Sequence, residues 1–380
     1  MNSTARHQPT LRIEEVRTDA GFALLREPWN ALVALVDGNV FLRHEWFSAA
    51  WAWQRSQADL YILCAYAGPR LVAVLPLIQA RDTSPNRGPL RFLSVPDAQW
   101  CDLLAEPASA PAVGPALADH LLSNAPEWDQ LCLDKLPADS AARSWLAPAL
   151  AERNVPAHFE SVDGNPFVDL SIPWSDYLGS LPRGIKKTRN LAANRLSRAG
   201  VAHVEWVTSR TASVPEVQRS VTQVVSLSAR SWKGGTDNSL EAQGPNAFIQ
   251  SLTASAYAQG WLSIWFLHLD GEAVAMEYQL LDKGVVYALR ADFDDRYRLL
   301  STGTFLNFHM LQELFNKPTG AALTRYCMGP GNNPYKLRWS DKAEPLYKMT
   351  CFSFTLRGRA GALWSGVKPR LRTLRDRLVS

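Results

Sequence analysis

Two segments of the sequence, about 200 residues apart, share one pattern of apolar strands joined by a tight turn. The turns are Ala67-Gly68-Pro69 and Asp270-Gly271, and the runs that follow begin Leu71-Val72-Ala73 and Ala273-Val274-Ala275. An Asp-Gly pair supplies the positive φ angles of a hairpin turn. A further strand and a helix follow each hairpin. Unless the two hairpins are alike by chance, the pattern predicts a tandem α/β repeat, each unit a mixed sheet flanked by helices.

The length of the chain agrees with two such units, because 380 residues exceed what one common domain needs. The polar segment 161–166 is the best candidate for a linker between them. We therefore expect a first lobe at residues 10–165, a second lobe at 166–356 and a basic C-terminal helix at 357–380. The apolar share of 47% and charged share of 20% are typical of a globular protein and exclude a disordered chain.

The modest net charge of +4 conceals an uneven distribution. Residues 183–198 carry six basic side chains and no acid, and residues 357–380 carry seven against the single acid Asp376. The remainder of the chain is net acidic. Such segments indicate an anionic partner, which could be a nucleotide-linked sugar, coenzyme A or a tRNA acceptor. The alternatives are a solvated helix face for 183–198 and, for the C-terminal helix, either an anionic membrane surface or packing on the protein body.

The cysteines and the N-terminus bear on compartment and cofactors. The five cysteines are far apart and none has the spacing of a metal ligand, so we expect a reduced protein without a structural metal. Residues 1–10 are polar and lack the apolar core of a signal peptide. The longest apolar runs have the length of strands. These features predict a cytoplasmic protein, peripheral at the inner membrane if the basic C-terminal helix binds there.

The segment 285–315 has the pattern of an anion-binding loop. A strand ends near Asp292, a polar loop containing Arg298 follows, and a helix begins among the small residues Ser301, Gly303 and Thr304. Exposed backbone N–H groups and the helix dipole favour a phosphate at such a helix start, and Arg298 adds a formal charge. The alternative is an ordinary Ser/Thr cap, which is the commoner use of these residues.

This segment also resembles a known motif. The spacing Arg298-x-x-Ser301-x-Gly303 is similar to the pyrophosphate loop of GNAT acyltransferases, with Ser301 where the first glycine is usual. The Cβ of a serine there is expected to crowd a diphosphate. Together with Ser231-Trp232-Lys233-Gly234 and with Pro330 to Lys336, the chain resembles the BioF2-like acetyltransferases (CelD/BcsL-like), which are related to the FemAB transferases. The resemblance covers residues 10–356 and implies two tandem GNAT-like folds and acyl transfer from coenzyme A.

Several residues are candidates for the chemistry of acyl transfer. Glu277 lies in an apolar strand, where desolvation would raise its pKa and suit it to act as a general base, unless it faces solvent. Asp292, at a strand end, is a second candidate base. Tyr335 could protonate a leaving group and Lys336 could bind an anion. Trp232 and Lys233 are candidate substrate contacts, although Lys233 could simply complement a helix dipole.

These observations predict an acyltransferase that moves an acetyl or short acyl group from coenzyme A to an amine or hydroxyl of a sugar or exopolysaccharide precursor. Arg298, Ser301, Gly303 and Thr304 would hold the donor phosphates, and no metal is needed. Transfer of an amino acid from aminoacyl-tRNA, in FemAB-like fashion, is one alternative. The other is a non-catalytic partner of a polysaccharide synthase, which the serine at 301 favours.

Overall fold

The computed structural model describes residues 11–81, 88–124, 127–316 and 322–363. The N-terminal part contains strands β1 (Arg12–Val16), β2 (Ala58–Ala67), β3 (Arg70–Ala80), β4 (Leu90–Phe92), β5 (Leu104–Ala105), β6 (Gln130–Pro137) and β7 (His158–Asp169), and helices α1 (Asp19–Leu24), α2 (Arg26–Leu35), α3 (His44–Gln54), α4 (Ala110–Ser123) and α5 (Ala147–Glu152). The C-terminal part contains helices α6 (Trp174–Ser180), α7 (Arg183–Ala199), α8 (Val214–Arg230), α9 (Gln243–Gln259) and α10 (Thr302–Asn316), and strands β8 (Ala202–Thr208), β9 (Leu262–Leu269), β10 (Glu272–Asp282), β11 (Val285–Phe293), β12 (Arg325–Cys327) and β13 (Ala343–Phe352).

The strands form one continuous mixed sheet whose order is symmetric about its centre. Along the sheet the order is β1-β2-β3-β4-β6-β13-β7-β12-β11-β10-β9-β8. The first repeat (residues 12–137) and the second repeat (202–327) therefore run in mirrored order from the two outer edges. Counted inward from the outer edge, a helix in each repeat connects the fourth strand to a parallel fifth strand, through α4 between β4 and β6 and through α10 between β11 and β12. The predicted tandem α/β architecture is confirmed.

The two predicted hairpins correspond residue for residue. Strands β3 and β10 have the same length, and each contains a bulge at its third residue, Val72 or Val274, which stays unpaired between two ladder partners. In the second hairpin, Asp270 and Gly271 have φ angles of 50° and 84°, the conformation that joins two twisted strands with a two-residue turn. A shared bulge is a specific feature that chance similarity does not explain.

The centre of the sheet is made by an exchange of strands between the two parts of the chain. Strand β7 follows the first repeat but pairs with β12 of the second, and β13 follows the second repeat but pairs with β6 of the first. The two exchanged strands also pair with each other. The predicted linker at 161–166 is wrong, because these residues lie inside β7, where their polar side chains border the partner strand β13. The lobe boundaries themselves stay a prediction.

The core joins both repeats through aromatic side chains. Helix α3, buried on most of its surface, packs against α9, where Phe248 contacts Trp46 and Trp53 at ring distances of 5.5 and 5.7 Å. Nearby, Phe41 meets Tyr287 of β11 at 5.0 Å. Several of the tryptophans therefore fill the interface between the repeats. No helix in the described ranges is long and apolar enough to span a bilayer.

The C-terminal basic helix predicted at 357–380 is only partly described. Residues 356–363 are helical, and residues 364–380 lie outside the described residues. The earlier basic segment, 183–198, lies in α7, which begins at Arg183 after Pro182, while the preceding helix α6 ends at Ser180. Proline disfavours helical geometry in the residue before it, which explains the break at Leu181.

Candidate active site

All ten sequence-predicted site residues line one cavity of about 640 Å³ in the second repeat, the Glu277 cavity. Its walls are β10 and β11, the start of α10, the end of α8, and the loop after β12. The predicted residues are Trp232, Lys233, Glu277, Asp292, Arg298, Ser301, Gly303, Thr304, Tyr335 and Lys336. They are spread over more than 100 residues of sequence, so it is the fold that brings them together. Their individual roles stay predictions.

The cavity opens where two parallel strands diverge. Strands β11 and β12 pair over only three residues, ending at Tyr287 and Cys327. Beyond that point the side-chain amide of Gln99, which comes from the first repeat, donates to both Ala288 O (3.0 Å) and Cys327 O (3.1 Å). A bulge at Leu289 then shifts the register of β11 against β10. The diverging strands leave backbone groups of β11 facing the cavity, available to a ligand.

The start of α10 forms a cradle for an anion. Phe305 N donates to Ser301 O in the first helical turn, so the N–H groups of residues 302–304 precede the first intrahelical bond. The Thr302 hydroxyl is buried in the cavity wall and makes no hydrogen bond within the described residues. Arg298 is exposed at the cavity rim. Three N–H donors, one hydroxyl and one guanidinium therefore converge on this end of the cavity.

Ser301 occupies the cradle in a glycine-like conformation. Its φ and ψ angles are 60° and 40°, in the left-handed region that glycine adopts freely. The chain thus keeps the backbone turn despite the side chain, and the expected crowding of a diphosphate by the Ser301 Cβ stays a prediction. Glycine is usual at this position of the motif for the same reason, since only it adopts the turn without strain.

Replacing Ser301 with glycine is expected to raise the free energy of unfolding by about 0.5–1 kcal/mol. The left-handed strain of a serine is relieved, and the greater freedom of glycine in the unfolded chain offsets part of that gain. Urea denaturation of the wild type and of Ser301→Gly measures the difference. Ser48→Gly, within the ordinary helix α3, is the matched control and should destabilise. Equal losses in both variants would contradict a strained Ser301.

Glu277 lies at the bottom of the cavity and is 2% exposed, so the solvent-facing alternative is excluded. Its Oε1 accepts hydrogen bonds from Tyr326 Oη (2.6 Å) and Gln279 Nε2 (2.7 Å), and its Oε2 accepts from Asn307 Nδ2 (3.0 Å). Burial raises the pKa of Glu277, and these three donors partly offset the rise. These hydrogen bonds hold the carboxyl in one orientation, and its pKa lies above that of an exposed glutamate.

The loop after β12 covers the cavity with Tyr335 and Lys336. Tyr335 lines the cavity although the residue is 37% exposed, and burial of its phenol together with the charge of Glu277 raises its pKa. The Lys336 ammonium donates to Gly329 O and Pro330 O, both at 2.7 Å, and burial lowers its pKa to about 8. Two of its three N–H donors therefore hold the loop. The third N–H donor remains available for the predicted anion contact.

The remaining predicted residues lie at the end of α8. Lys233 Nζ is 2.7 Å from a carboxylate oxygen of Asp292, whose side chain is fully buried. This ion pair gives Asp292 a cationic partner, whereas Glu277 forms no ion pair in the described part of the chain. Trp232 is 67% exposed at the rim of the cavity, a position from which it could contact a substrate.

Sequence reasoning missed the side chains that hold Glu277 in place. Gln279 lies two residues along the same strand and so on the same face, a relation that alternation could have revealed. Asn307 is a buried polar residue on an otherwise apolar face of α10. Tyr326, in the short strand β12, gave no signal. Its role depends on β12 lying beside β11, which only the fold shows.

The first repeat lacks the equivalent groups. Because β3 and β10 align through their bulges, Leu75 occupies the position of Glu277 and Leu77 that of Gln279. Helix α4, the counterpart of α10, has a proline in its first turn, which removes one of the N–H donors that an anion would use. The catalytic candidates are therefore confined to the second repeat.

The basic helix α7 lies beside the cradle. Arg195 donates to Leu299 O (2.9 Å), and the Arg189 guanidinium lies 4.6 Å from the centre of the Phe308 ring. These two basic residues therefore hold α7 against α10 and its preceding loop. Part of the basic run therefore serves packing, which a fully solvated helix face would not do. Lys187 and Arg198 are exposed.

A family model described as an acetyltransferase (GNAT) domain matches residues 186–337. This range includes the cradle, Glu277 and the covering loop. This part of the chain is a GNAT-type acyltransferase domain. No curated protein matches the chain by sequence.

Solved structures extend the likeness to the whole fold. FemX aligns over 92% of this chain and 99% of its own, at 10% identity and a TM-score of 0.55. A tandem GNAT protein from the clavulanic acid biosynthesis pathway aligns over 90% of this chain and 98% of its own, at 14% identity and a TM-score of 0.52. At such identities the likeness concerns the fold alone, and that fold is a tandem GNAT arrangement.

Proposed function

We propose that the second repeat transfers an acetyl or other short acyl group from coenzyme A to an amine or hydroxyl of its acceptor. One observation carries the proposal: a single cavity has an anion cradle at one end and a buried, hydrogen-bonded glutamate at its base. An acyl donor that carries phosphates needs the anion cradle, and deprotonation of an acceptor needs the glutamate.

The residues present fit a donor with a diphosphate. The N–H groups of residues 302–304, the Thr302 hydroxyl, which has no partner among the described residues, and Arg298 offer several donors to phosphate oxygens. The open edge of β11 offers further backbone groups for the amide-rich arm of the donor. Bound there, the thioester would supply the electrophilic carbonyl carbon.

The chain's own groups would move the protons. Glu277 takes a proton from the attacking amine or hydroxyl, directly or through one water, as a bond forms between that atom and the carbonyl carbon. When the carbon–sulfur bond breaks, Tyr335 donates its proton to the leaving thiolate. Tyr326, Gln279 and Asn307 orient the Glu277 carboxyl. The proton count closes when Glu277 returns its proton to Tyr335 through solvent.

The acceptor proposed is a sugar or exopolysaccharide precursor, as the resemblance to CelD/BcsL-like proteins implies. In this proposal the protein acts in the cytoplasm, with a polysaccharide synthase as partner and its basic segments near the inner membrane. The non-catalytic alternative is favoured by Ser301, whose Cβ is expected to crowd a diphosphate. Against it, Ser301 adopts the backbone turn for which glycine is usual in the motif.

Calorimetric titration with acetyl-, propionyl- and butyryl-CoA tests the donor assignment. We expect the wild type to bind at least one of them, and Arg298→Gln to weaken that affinity about tenfold, or about 1.4 kcal/mol, through loss of one charge-assisted phosphate contact. Arg219→Gln, an exposed arginine on α8, removes the same charge elsewhere and should leave the affinity unchanged.

The same titrations separate this proposal from the tRNA alternative. Failure of every acyl-CoA to bind folded protein would overturn the donor assignment. Salt-sensitive binding of aminoacyl-tRNA, lost when Lys186, Lys187 and Arg189 are changed to glutamate, would support transfer of an amino acid instead.

A further inference from the structure

A second cavity, of about 730 Å³, lies between the two repeats and shares no lining residue with the Glu277 cavity. One wall is the sheet of the first repeat, through β4 and β6 and the exchanged strand β13. The opposite wall is formed by residues 237–245 of the second repeat, which comprise part of the loop between α8 and α9 and the first turn of α9. Trp53, at the end of α3, closes one side. We call it the Arg91 cavity, after the arginine in its sheet wall.

Two cations without an ion pair in the described part of the chain face this cavity from β4 and β13, the strands on either side of β6. Arg91 on β4 is paired in register with Cys132 on β6, which is paired with Thr350 on β13. Lys348 lies two residues from Thr350 and so on the same face of β13. Two strand spacings of about 4.8 Å and an offset of two residues along β13 separate the backbones that carry Arg91 and Lys348 by about 12 Å. One small anion can therefore contact both side chains.

Of the two cations, Arg91 gives the stronger evidence for a ligand. Its Nη2 donates to Gln54 Oε1 (3.1 Å), but its Nε is buried and has no hydrogen-bond partner within the described residues. A buried, unsatisfied guanidinium donor is costly and calls for a partner that the protein does not supply. The carboxylates that line this cavity, Asp134 and Asp237, are exposed and form no ion pair with Arg91.

The wall between the two cavities is a buried polar cluster. Arg290, which lines the Glu277 cavity, donates to Asp97 Oδ2 (2.8 Å) and to Asn238 O (2.7 Å) and Oδ1 (2.9 Å). Asn238 lines the Arg91 cavity. The third cationic side chain of that cavity, Lys135, uses two of its three N–H donors on Pro96 O and Ala98 O. Arg91 and Lys348 are the two cations of the cavity that have no backbone carbonyl or carboxylate partner among the described residues.

We propose that the Arg91 cavity binds a small molecule through an anionic group, a phosphate or a carboxylate, held between Arg91 and Lys348. This site is distinct from the acyl-donor site and does not depend on the proposed transfer reaction. The aromatic wall at Trp53 and the amides of Gln54 and Asn238 are suited to the uncharged remainder of such a molecule.

Alkylation of Cys132 reports occupancy of this site. Cys132 lies between the two cations and is the one cysteine of the five that is not buried. Its labelling by iodoacetamide at pH 8.5 is followed by peptide mass spectrometry with inorganic phosphate, acetate or chloride at equal ionic strength. We expect phosphate or acetate at about 20 mM to slow labelling about fivefold, as for a site with a Kd near 5 mM.

Two variants of equal charge distinguish the site from general salt effects. In Arg91→Gln/Lys348→Gln the ratio of rates with and without the anion should return to one. In Lys187→Gln/Arg198→Gln, on the exposed face of α7, protection should remain. A rise in melting temperature with the anion, larger in the wild type than in the first variant, is the second readout. Equal labelling and equal melting shifts in the wild type and Arg91→Gln/Lys348→Gln would overturn the proposal, while acyl-CoA binding tests the donor site separately.

Discussion

Changing Glu277 to glutamine is expected to lower kcat about 1,000-fold, while the affinity for acetyl-CoA stays within about twofold. The amide keeps the shape of the carboxyl, and its oxygen can still accept the two hydrogen bonds from Tyr326 and Gln279 that go to Oε1, while its NH2 group replaces the oxygen that accepts from Asn307. It cannot take a proton from the acceptor. Coenzyme A release, with whichever member of an amino-sugar panel the wild type acetylates, measures kcat, and calorimetry measures donor affinity.

The pH dependence of the reaction provides an independent measure of the same residue. Burial raises the pKa of Glu277, so the carboxyl becomes protonated at a higher pH than an exposed glutamate does. Only the ionised form accepts a proton, so kcat/KM should fall as the pH drops through this raised pKa. Tyr326→Phe removes one donor to the carboxylate, which should raise the pKa further and move the acidic limb to higher pH.

The control for this substitution is Glu160→Gln, an exposed glutamate on strand β7 that undergoes the same chemical change. Its activity and pH profile should match the wild type. If Glu277→Gln retained more than about a tenth of the wild-type kcat, the role of general base would pass to another group. Asp292, paired with Lys233, would be the next candidate.

Much of the fold could be predicted because its signals are local. The hairpin at Asp270-Gly271 follows from two residues that favour positive φ, and the break at Pro182 follows from the geometry of proline. The exchange of β7 and β13 could not be predicted in this way. It depends on pairing between strands nearly 200 residues apart, and the polar segment 161–166 has the composition of a linker although it lies inside a strand.

The residues of the candidate site fall into the same two groups, those whose proximity follows from local sequence and those that only the fold brings together. Arg298, Ser301 and Gly303 belong to one strand–loop–helix segment, so their spacing in sequence already fixed their proximity. Gln99 and Tyr326 come from elsewhere in the chain. Gln99 joins the diverging strands from the opposite repeat, which no local pattern could indicate. The second repeat thus carries the chemistry, while the first repeat shapes the opening of its cavity.

Changing Gly303 to aspartate should affect donor binding and stability in opposite directions. A carboxylate in the first turn of α10 complements the helix dipole, and a residue other than glycine favours the helix, so the melting temperature should stay equal or rise. The same carboxylate lies where donor phosphates would bind and uses the N–H groups of the cradle. We expect acetyl-CoA affinity to fall about 100-fold, or about 2.7 kcal/mol.

Gly303→Asn separates charge from size in this prediction. Asparagine has nearly the same shape as aspartate and no charge, and a Cβ at residue 303 approaches its nearest neighbour, Phe293 Cδ1, only to 3.4 Å, an ordinary contact. If repulsion is the cause, Gly303→Asn should weaken acetyl-CoA binding far less than Gly303→Asp, and added salt should restore part of the affinity of the aspartate variant.

Equal losses in both variants would mean that a side chain at residue 303 blocks the cradle sterically. Unchanged affinity in both would mean that the phosphates bind elsewhere, because a folded helix with a new negative charge at its start cannot hold a diphosphate as before.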